Sequence, residues 1–453
     1  MNTKLNFENY IISRTNKVKI SSKEIIEGDI FLALKGKNFH GNKFIKSSIK
    51  KGAKFCITDN KNFTENKKII YVKNIFNYLN NLAIRKRSLY KGKVIGITGS
   101  AGKTTLKETL AFFLKKNHLI SYSQKSYNNK LGVLISLLNM NLKSKYSIFE
   151  IGTNNFGEIK NLTKIVQPSE IFITNIQSTH LENFKTKNNI AKEKSDIFIT
   201  KYNNQKRRVY LNVTNKEEKI IWNKAVKQKN LKIISINKQS NKYFIKEIID
   251  RNKYHQVIFS INKKIISLEI DYLIMFRLIN ILFCYAFFYE NMLNINSIKK
   301  SYRFLKPVDG RGLNHNIIIN KMKVKIIDES YNANPDTMVQ SVEYFNNLKL
   351  DNSKKILILG DMNELGKNAI MMHLKLLKHI DKFSFKNVIL CGEFFRRSIQ
   401  KLINPNNEFK YIDNKINIMK FLNKKVHKND IIMIKCSNST VINNFTKDIL
   451  KKR

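Results

Sequence analysis

Glycine and proline are scarce in this chain: 16 and 4 among 453 residues. The four cysteines, Cys56, Cys284, Cys391 and Cys436, form no Cys-x-x-Cys pair. Their spacing indicates neither a disulfide framework nor a zinc module. Met1 to Ile11 contain no apolar core of the kind a secretory signal needs, so none is expected. Long hydrophobic runs are also missing. The one candidate, Leu273 to Tyr289, carries Arg277 and Asn280 inside and only just reaches the spanning minimum of roughly 17 residues. It reads as a buried helix, and a cytoplasmic enzyme without a membrane span is expected.

Acidic residues are few as well. Lys and Arg number 83 against 34 Asp and Glu, a formal net charge of +49. Taken alone, that charge points to nucleic acid or an anionic membrane. The lysines, however, run through every segment, interleaved with Ile and Asn, and gather in no single tail or face. We read the excess as a chain-wide drift toward residues with A/T-rich codons; a genome of even base composition would refute this. A positive field still attracts nucleotide-linked, polyanionic substrates. Hydrophobic residues make up 42%, enough for real cores, and the length suggests about three domains.

What is present begins at Val94-Ile95-Gly96-Ile97-Thr98-Gly99-Ser100-Ala101-Gly102-Lys103-Thr104-Thr105. An apolar strand runs into a glycine-containing turn and then into a helix. Gly99 and Gly102 let the backbone of Gly99-Ser100-Ala101-Gly102-Lys103-Thr104-Thr105 turn so that successive N–H groups point inward at an anion, and the helix start adds its positive dipole end. Lys103 supplies a point charge for the β- and γ-phosphates, and the Thr104 hydroxyl a ligand for Mg²⁺. A nucleotide phosphate loop is the reading that uses every part.

The rest of the chain falls into three stretches. Residues 1–88 read as a small α/β domain, with a buried strand around Ile30–Leu34 and short strands at Lys54–Thr58 and Lys68–Val72. Residues 89–305 hold the phosphate loop and read as a doubly wound parallel sheet, with strands at Val94–Thr98, Tyr146–Ile151, Ile171–Asn175 and Arg208–Asn212. Glu150 ends the second of these, where it can reach an Mg²⁺ held by Thr104; His180 follows the third. Residues 306–453 read as another α/β unit, with strands at Val324–Asp328, Lys355–Leu359, Asn387–Leu390 and Ile431–Lys435. Polar loops follow three of these strands, at the sheet edge where such folds build sites.

These residues resemble the Mur ligases, ATP-dependent amide-forming enzymes of peptidoglycan precursor synthesis. The family's loop, Gly-x-Thr-Gly-Ser/Thr-x-Gly-Lys-Thr/Ser, matches Gly96 to Thr104, and the likeness runs in order over nearly the whole chain. Glu150-Ile-Gly-Thr-Asn-Asn-Phe-Gly-Glu-Ile159, His180-Leu-Glu-Asn-Phe184, Asp328-Glu-Ser-Tyr-Asn-Ala-Asn-Pro335 and Gly360-Asp-Met-Asn-Glu-Leu-Gly366 are similar to the members that add a D-alanyl-D-alanine dipeptide. The members adding the third amino acid carry a Tyr-Ala-His-type loop and an Asp-Asn-Pro-Arg motif, both absent here. Folylpolyglutamate synthases share the core but not this type of N-terminal domain.

The resemblance implies a UDP-substrate-binding N-terminal domain, a central P-loop-type ATPase domain and a Rossmann-like C-terminal domain. It implies UDP-N-acetylmuramoyl-tripeptide, D-alanyl-D-alanine and ATP as substrates, two Mg²⁺ ions, an acyl-phosphate intermediate and a monomer. By position, Lys103 matches the phosphate lysine, Thr104 and Glu150 the ligands of the first Mg²⁺, and His180 a ligand of the second. Lys194, in Ala191-Lys-Glu-Lys-Ser-Asp-Ile-Phe198, falls on the family's carbamylated lysine. Asn280, Arg311 and Asp328 match nucleotide contacts. Ser22 and Lys23 fall on the uridine-diphosphate motif, and Asn128 and Asn129 on a pair near the substrate carboxylate. Asn332, Asn334, Asp361 and Lys435 lie in matching C-terminal loops.

There are departures. Ile274-Met275-Phe276-Arg277 stands where the family has Gly-x-His-Asn, Ser21 and Lys23 stand for an Asp and an Arg, and Asn212-Val-Thr-Asn215 replaces Asn-Ala-Asp-Asp/Asn. Lysine cannot reproduce a bidentate Arg fork. Three alternatives stay open at this point: a ligase adding a single amino acid, a decayed nucleotide-binding paralogue, and a basic nucleic-acid-binding protein. The last lacks the clustered Lys/Arg and aromatics that it would need.

Overall fold

Three β-sheets follow one another along the chain, each flanked by helices. The computed structural model describes residues 3–36, 39–63, 66–199, 206–228, 230–251, 254–270 and 278–451. The N-terminal sheet is parallel and in sequence order: Val18–Lys19, Ile30–Leu32, Phe55–Thr58 and Ile69–Tyr71. The C-terminal sheet has the order Leu313–Ile319, Met322–Glu329, Ile431–Lys435, Lys355–Gly360, Asn387–Cys391, Phe409–Tyr411, parallel except for its first pair. This is the three-domain α/β architecture that the sequence led us to expect.

The central sheet departs from expectation. Six strands are parallel, in the order Ile120–Tyr122, Tyr146–Glu150, Lys93–Thr98, Glu170–Ile173, Arg207–Asn212, Leu231–Ile236. Beyond them, Tyr243–Asp250, His255–Ile261 and Lys264–Ile270 extend the sheet as an antiparallel meander. The two parts are patterned differently because they are covered differently. Ile95, Ile97, Ile171 and Phe172 are all buried, as in a strand packed on both faces. In the last strand Ile266, Leu268 and Ile270 are buried while Ile265 is exposed, the alternation of a sheet covered on one face. The meander's tight turn is Asn262-Lys263, both residues at positive φ (47° and 72°). Such two-residue turns usually take Asn-Gly. With glycine scarce, no Gly marks the turn, and the strands around it carry no hairpin signal.

The helix Leu278–Glu290 is buried on every face from Ile281 to Phe287 and packs under this sheet, as expected of a core helix. The expected start at Leu273, and Phe276 and Arg277, lie outside the described residues.

A single apolar cluster runs through all three domains, from Phe7 and Leu32 through Val133 and Ile171 to Leu359 and Met433. Lys86 pins its N-terminal end. This lysine is fully buried on the helix Ile75–Leu89. Its ammonium donates to the carbonyls of Ile11 (3.1 Å), Arg14 (2.6 Å) and Leu138 (2.6 Å). It thus ties the N-terminal helix Thr3–Ser13 to the central-domain helix Lys130–Leu138. With the cluster fixed in this way, the carboxyl ends of the central and C-terminal strands face one another.

Candidate active site

Lys93–Thr98 ends in Gly99-Ser100-Ala101-Gly102, and the helix Lys103–Lys115 starts at once. Gly99 has φ of 140° and Gly102 of 80°. A Cβ on Gly99 would overlap the Thr174 hydroxyl, so close approach to the next strand demands glycine. A Cβ on Gly102 would meet nothing within 4 Å; there the left-handed backbone alone selects glycine. Asn175 braces the loop from the side. Its carbonyl accepts from Ser100 N–H and its Oδ1 from Ala101 N–H, both at 2.9 Å. Among the described residues, the N–H groups of Gly102, Lys103, Thr104 and Thr105 donate to no protein acceptor. These free donors at a helix N-terminus form an anion cradle.

Lys103 folds back across the loop, donating to the carbonyls of Gly99 (2.8 Å) and Ser100 (3.2 Å). Burial holds its amine below the usual lysine range, against the pull of Glu150. The Thr104 hydroxyl donates to Glu150 Oε2 at 2.8 Å and lies 3.2 Å from the Ser126 hydroxyl. The other Glu150 oxygen accepts from Asn128 Nδ2 at 2.8 Å. One helical turn on, the fully buried Lys107 donates to the carbonyls of Ser123 (2.7 Å) and Lys125 and stands 4.0 Å from Glu150.

Lys194, on the helix Lys187–Ser195, is also buried. It makes no hydrogen bond or ion pair among the described residues. Burial first, and then the charge of Lys103, push its amine well below the ordinary lysine value. The adjacent Glu193 offers little relief, because its carboxylate accepts from the Thr153 hydroxyl and from the N–H groups of Gly157 and Ile159.

The C-terminal domain supplies the opposite wall. At the end of Met322–Glu329, Asp328 accepts from Gly310 N–H (3.1 Å) and from the N–H and hydroxyl of Ser330 (3.0 and 2.6 Å). That fixes the turn which presents Arg311. The Arg311 guanidinium lies over the Tyr331 ring, 4.1 Å from its centre, and Nη2 donates to the Thr104 hydroxyl at 3.1 Å. Its Nε is buried without an acceptor. Lys435 pairs with Glu329 at 3.1 Å. His180, in a left-handed conformation with φ of 52°, has Nδ1 2.5 Å from Glu364 Oε2. The His180 contact holds the Glu364 carboxyl below its usual range.

These groups surround a cavity of about 580 Å³ between the two domains. Of the residues expected from sequence, Ser100 to Thr105, Asn128, Glu150, His180, Asn280, Arg311, Asn332 and Asn334 line it. Asp328 and Lys194 do not line it: Asp328 holds the turn that presents Arg311, and Lys194 is buried within reach of the charge of Lys103. Asn129 serves as a helix cap instead. Its side chain accepts from Gly132 N–H (2.9 Å) at the start of Lys130–Leu138. Asn334 also caps a helix, Pro335–Asn346, and Asp361 accepts from the N–H groups of Phe394 and Phe395 (3.0 Å each) at the start of Glu393–Ile399. Ser22 and Lys23 are not among the cavity-lining residues. Their link to it is Glu24, which pairs at 3.1 Å with Lys125, three residues before Asn128.

Sequence reasoning missed Lys107 and Glu364 as individuals. The signal for Lys107 is its position one turn after Lys103, on the same helix face. Glu364 offered none beyond its place in the Gly360–Gly366 loop.

The donors fit an anionic nucleotide and a hard cation. The orphaned Arg311 Nε and the open cradle at Gly102 suit phosphate oxygens. Thr104, Ser126 and Glu150 bring oxygen atoms to one point, the ligand type that Mg²⁺ takes. Among the described residues no group of three or more His, Cys, Asp or Glu forms a metal cluster. Mg²⁺ typically completes such partial sites with phosphates and water. No described helix is long and apolar enough to cross a membrane.

Comparison with known proteins follows the same lines. The Mur ligase middle domain matches residues 97–288, the glutamate ligase domain of Mur ligases 316–438, and the Mur ligase family catalytic domain 14–88. The UDP-N-acetylmuramoyl-tripeptide–D-alanyl-D-alanine ligase of Rickettsia prowazekii (strain Madrid E) is 32% identical over 436 residues, covering 93% of this chain and 92% of that protein. The protein of the same name from Buchnera aphidicola subsp. Acyrthosiphon pisum is 30% identical over 441 residues, covering 96% and 94%. In fold, the chain is similar to MurF of Acinetobacter baumannii, with a TM-score of 0.79 at 22% identity over 96% of this chain and 93% of that one. It is also similar to the MurF ligase of Thermotoga maritima in complex with ADP, with a TM-score of 0.78 at 24% identity over 98% of each chain.

Proposed function

The chain belongs to the Mur ligase family, and on that footing we propose that it joins D-alanyl-D-alanine to UDP-N-acetylmuramoyl-tripeptide, driven by ATP. The product is the UDP-N-acetylmuramoyl-pentapeptide of peptidoglycan precursor synthesis. The observation that carries this reading is the composite cavity. Lys103 and the Thr104–Glu150 pair form its central-domain wall, and Arg311 reaches them from the C-terminal domain.

A carboxylate is a poor electrophile. Attack of the tripeptide's terminal carboxylate on the γ-phosphorus of ATP forms an acyl phosphate and releases ADP. The dipeptide amine then attacks the acyl carbon, the amide forms, phosphate leaves and the nitrogen gives up a proton. Lys103, Arg311 and the cradle N–H groups neutralise charge on the transferring phosphoryl and hold it in line. Mg²⁺, held at Thr104 and Glu150 with a second ion at His180 and Lys194, would supply further charge neutralisation on the phosphates.

Lys194 serves this role as a carbamate. An ammonium would repel both Lys103 and a cation. Burial and the charge of Lys103 ease the loss of the Lys194 proton, and the amine form attacks CO₂, forming an N–C bond with loss of a proton. The resulting anion is attracted by Lys103 instead of repelled.

The test is phosphate release from ATP with UDP-N-acetylmuramoyl-tripeptide, with and without D-alanyl-D-alanine. Release that needs the dipeptide, and disappears in Lys103→Ala, is the expected result. Nucleotide binding without dipeptide-dependent release would overturn the proposal. For the carbamate, ¹³C-bicarbonate should give a carbamate NMR signal that Lys194→Ala lacks.

A further inference from the structure

The segment Gln177–Glu182 belongs to the central domain by sequence, yet the C-terminal domain grips it at both ends. At one end, Asn334 Nδ2 donates to Gln177 Oε1 (3.3 Å), and Asp336 accepts from Ser178 N–H (2.8 Å). Asp336 also pairs with Lys187 at 3.0 Å. At the other end, Glu182 N–H donates to the Glu364 carbonyl at 3.0 Å. A Cβ on Gly366 would come within 3.2 Å of the Glu182 Cα, so the two backbones lie in close apposition. Between these anchors the Glu364 carboxylate stands 2.5 Å from His180 Nδ1, off the line that a hydrogen bond needs, and that buried nitrogen has no hydrogen-bond partner among the described residues.

Both partners of that contact take left-handed backbone angles, 52° at His180 and 64° at Glu364. Non-glycine residues rarely adopt this conformation, and it persists where the surroundings over-determine it. Here two such residues, from different domains, point their side chains at each other. His180 also lines the cavity, and its ring has a second nitrogen, Nε2, with no protein partner among the described residues.

We propose that Glu364 is the positioning residue of His180: a small turn of the ring brings Nδ1–H into line with the carboxylate 2.5 Å away, and the hydrogen bond so formed fixes the tautomer that leaves the Nε2 lone pair for a cation. A neutral imidazole has one lone-pair nitrogen, and the hydrogen bond on the other nitrogen decides which it is. Because Glu364 arrives with the C-terminal domain, the ligand nitrogen is set only when the two domains are apposed. The proposal rests on the reading of His180 as a cation ligand.

The test uses the full-length enzyme labelled with ¹⁵N-histidine, the His180 signals being identified by their loss in His180→Gln. Wild type should show the Nδ1-protonated form. Glu364→Ala should lose it, whereas Glu364→Gln, whose amide oxygen still accepts, should keep it. Mn²⁺ binding, read by electron paramagnetic resonance with a non-hydrolysable ATP analogue, should weaken about tenfold or more in Glu364→Ala and much less in Glu364→Gln. Asp336→Asn loosens the same segment at its other end and should leave the tautomer unchanged. An Nε2-protonated wild type, an unaltered Glu364→Ala, or an equal change in Asp336→Asn would overturn the proposal while leaving dipeptide-dependent ligation intact. Mn²⁺ affinity untouched by His180→Gln would instead remove the ligand reading beneath it, and the proposal with it.

Discussion

Arg311 and Thr104 are 207 residues apart in the chain and 3.1 Å apart in space. The guanidinium is held over the Tyr331 ring and aimed by the Asp328-bound turn, so its direction is fixed before any phosphate arrives. Lysine lacks both the planar stack and the fork. Arg311→Lys should therefore lower kcat on the order of a hundredfold with a melting temperature close to wild type. Steady-state phosphate release and a thermal melt check this together.

The two loop glycines should separate in their effects. Gly99→Ala forces a methyl into the Thr174 hydroxyl and should abolish ATP binding. Gly102→Ala meets open space and carries only the left-handed backbone penalty, about 1 kcal/mol. It should keep measurable nucleotide binding at reduced affinity. Titration with a fluorescent ATP analogue distinguishes the two variants.

Lys86 is predicted to act on stability and not on chemistry. Lys86→Met leaves the carbonyls of Ile11, Arg14 and Leu138 without this donor inside the protein. The expected loss is on the order of 2–4 kcal/mol, seen as a lower urea midpoint, with KM for ATP unchanged in the variant that remains folded.

His373 gives the fold a pH dependence. Its Nε2 accepts from Met362 N–H (3.0 Å), and its other ring nitrogen lies 2.7 Å from the Ala369 carbonyl. Burial lowers its pKa from 6.5 to about 4. As pH falls below 6.5 the unfolded chain takes up a proton that the folded one refuses. The contribution of His373 to stability is thus complete above 6.5 and declines toward 4, by roughly 1.4 kcal/mol per pH unit. Urea melts at pH 7.5 and 5.5 should show a larger drop for wild type than for His373→Gln.

Much of this molecule was legible in advance where apolar strands end in polar loops. The phosphate loop, Glu150, His180 and the Asp328–Asn334 loop fall where strand periodicity and the carboxyl edge of a parallel sheet put them. The antiparallel meander was not legible, because its Asn262-Lys263 turn lacks the glycine that marks such hairpins. Buried lysines were the second blind spot. In a chain with 83 Lys and Arg, nothing local tells Lys86 or Lys107 from a solvated neighbour. Their burial comes from carbonyls supplied by distant segments. Lys194 was singled out only through the family resemblance, since its environment comes from burial first and then from Lys103, 91 positions earlier in the numbering. The pairing of His180 with Glu364 is likewise a product of domain packing, to which no local pattern corresponds.

The cavity's two walls belong to different domains, and that divided ownership has a consequence in time. On the proposed chemistry, an acyl phosphate made between them would be sheltered from water for as long as the seam of Arg311, Asn334 and Glu364 contacts holds. If the seam parts before the amine has attacked, the intermediate meets solvent and its ATP is lost to hydrolysis. On that chemistry the dwell time of the seam would set coupling efficiency: how many dipeptides are joined for each phosphate set free.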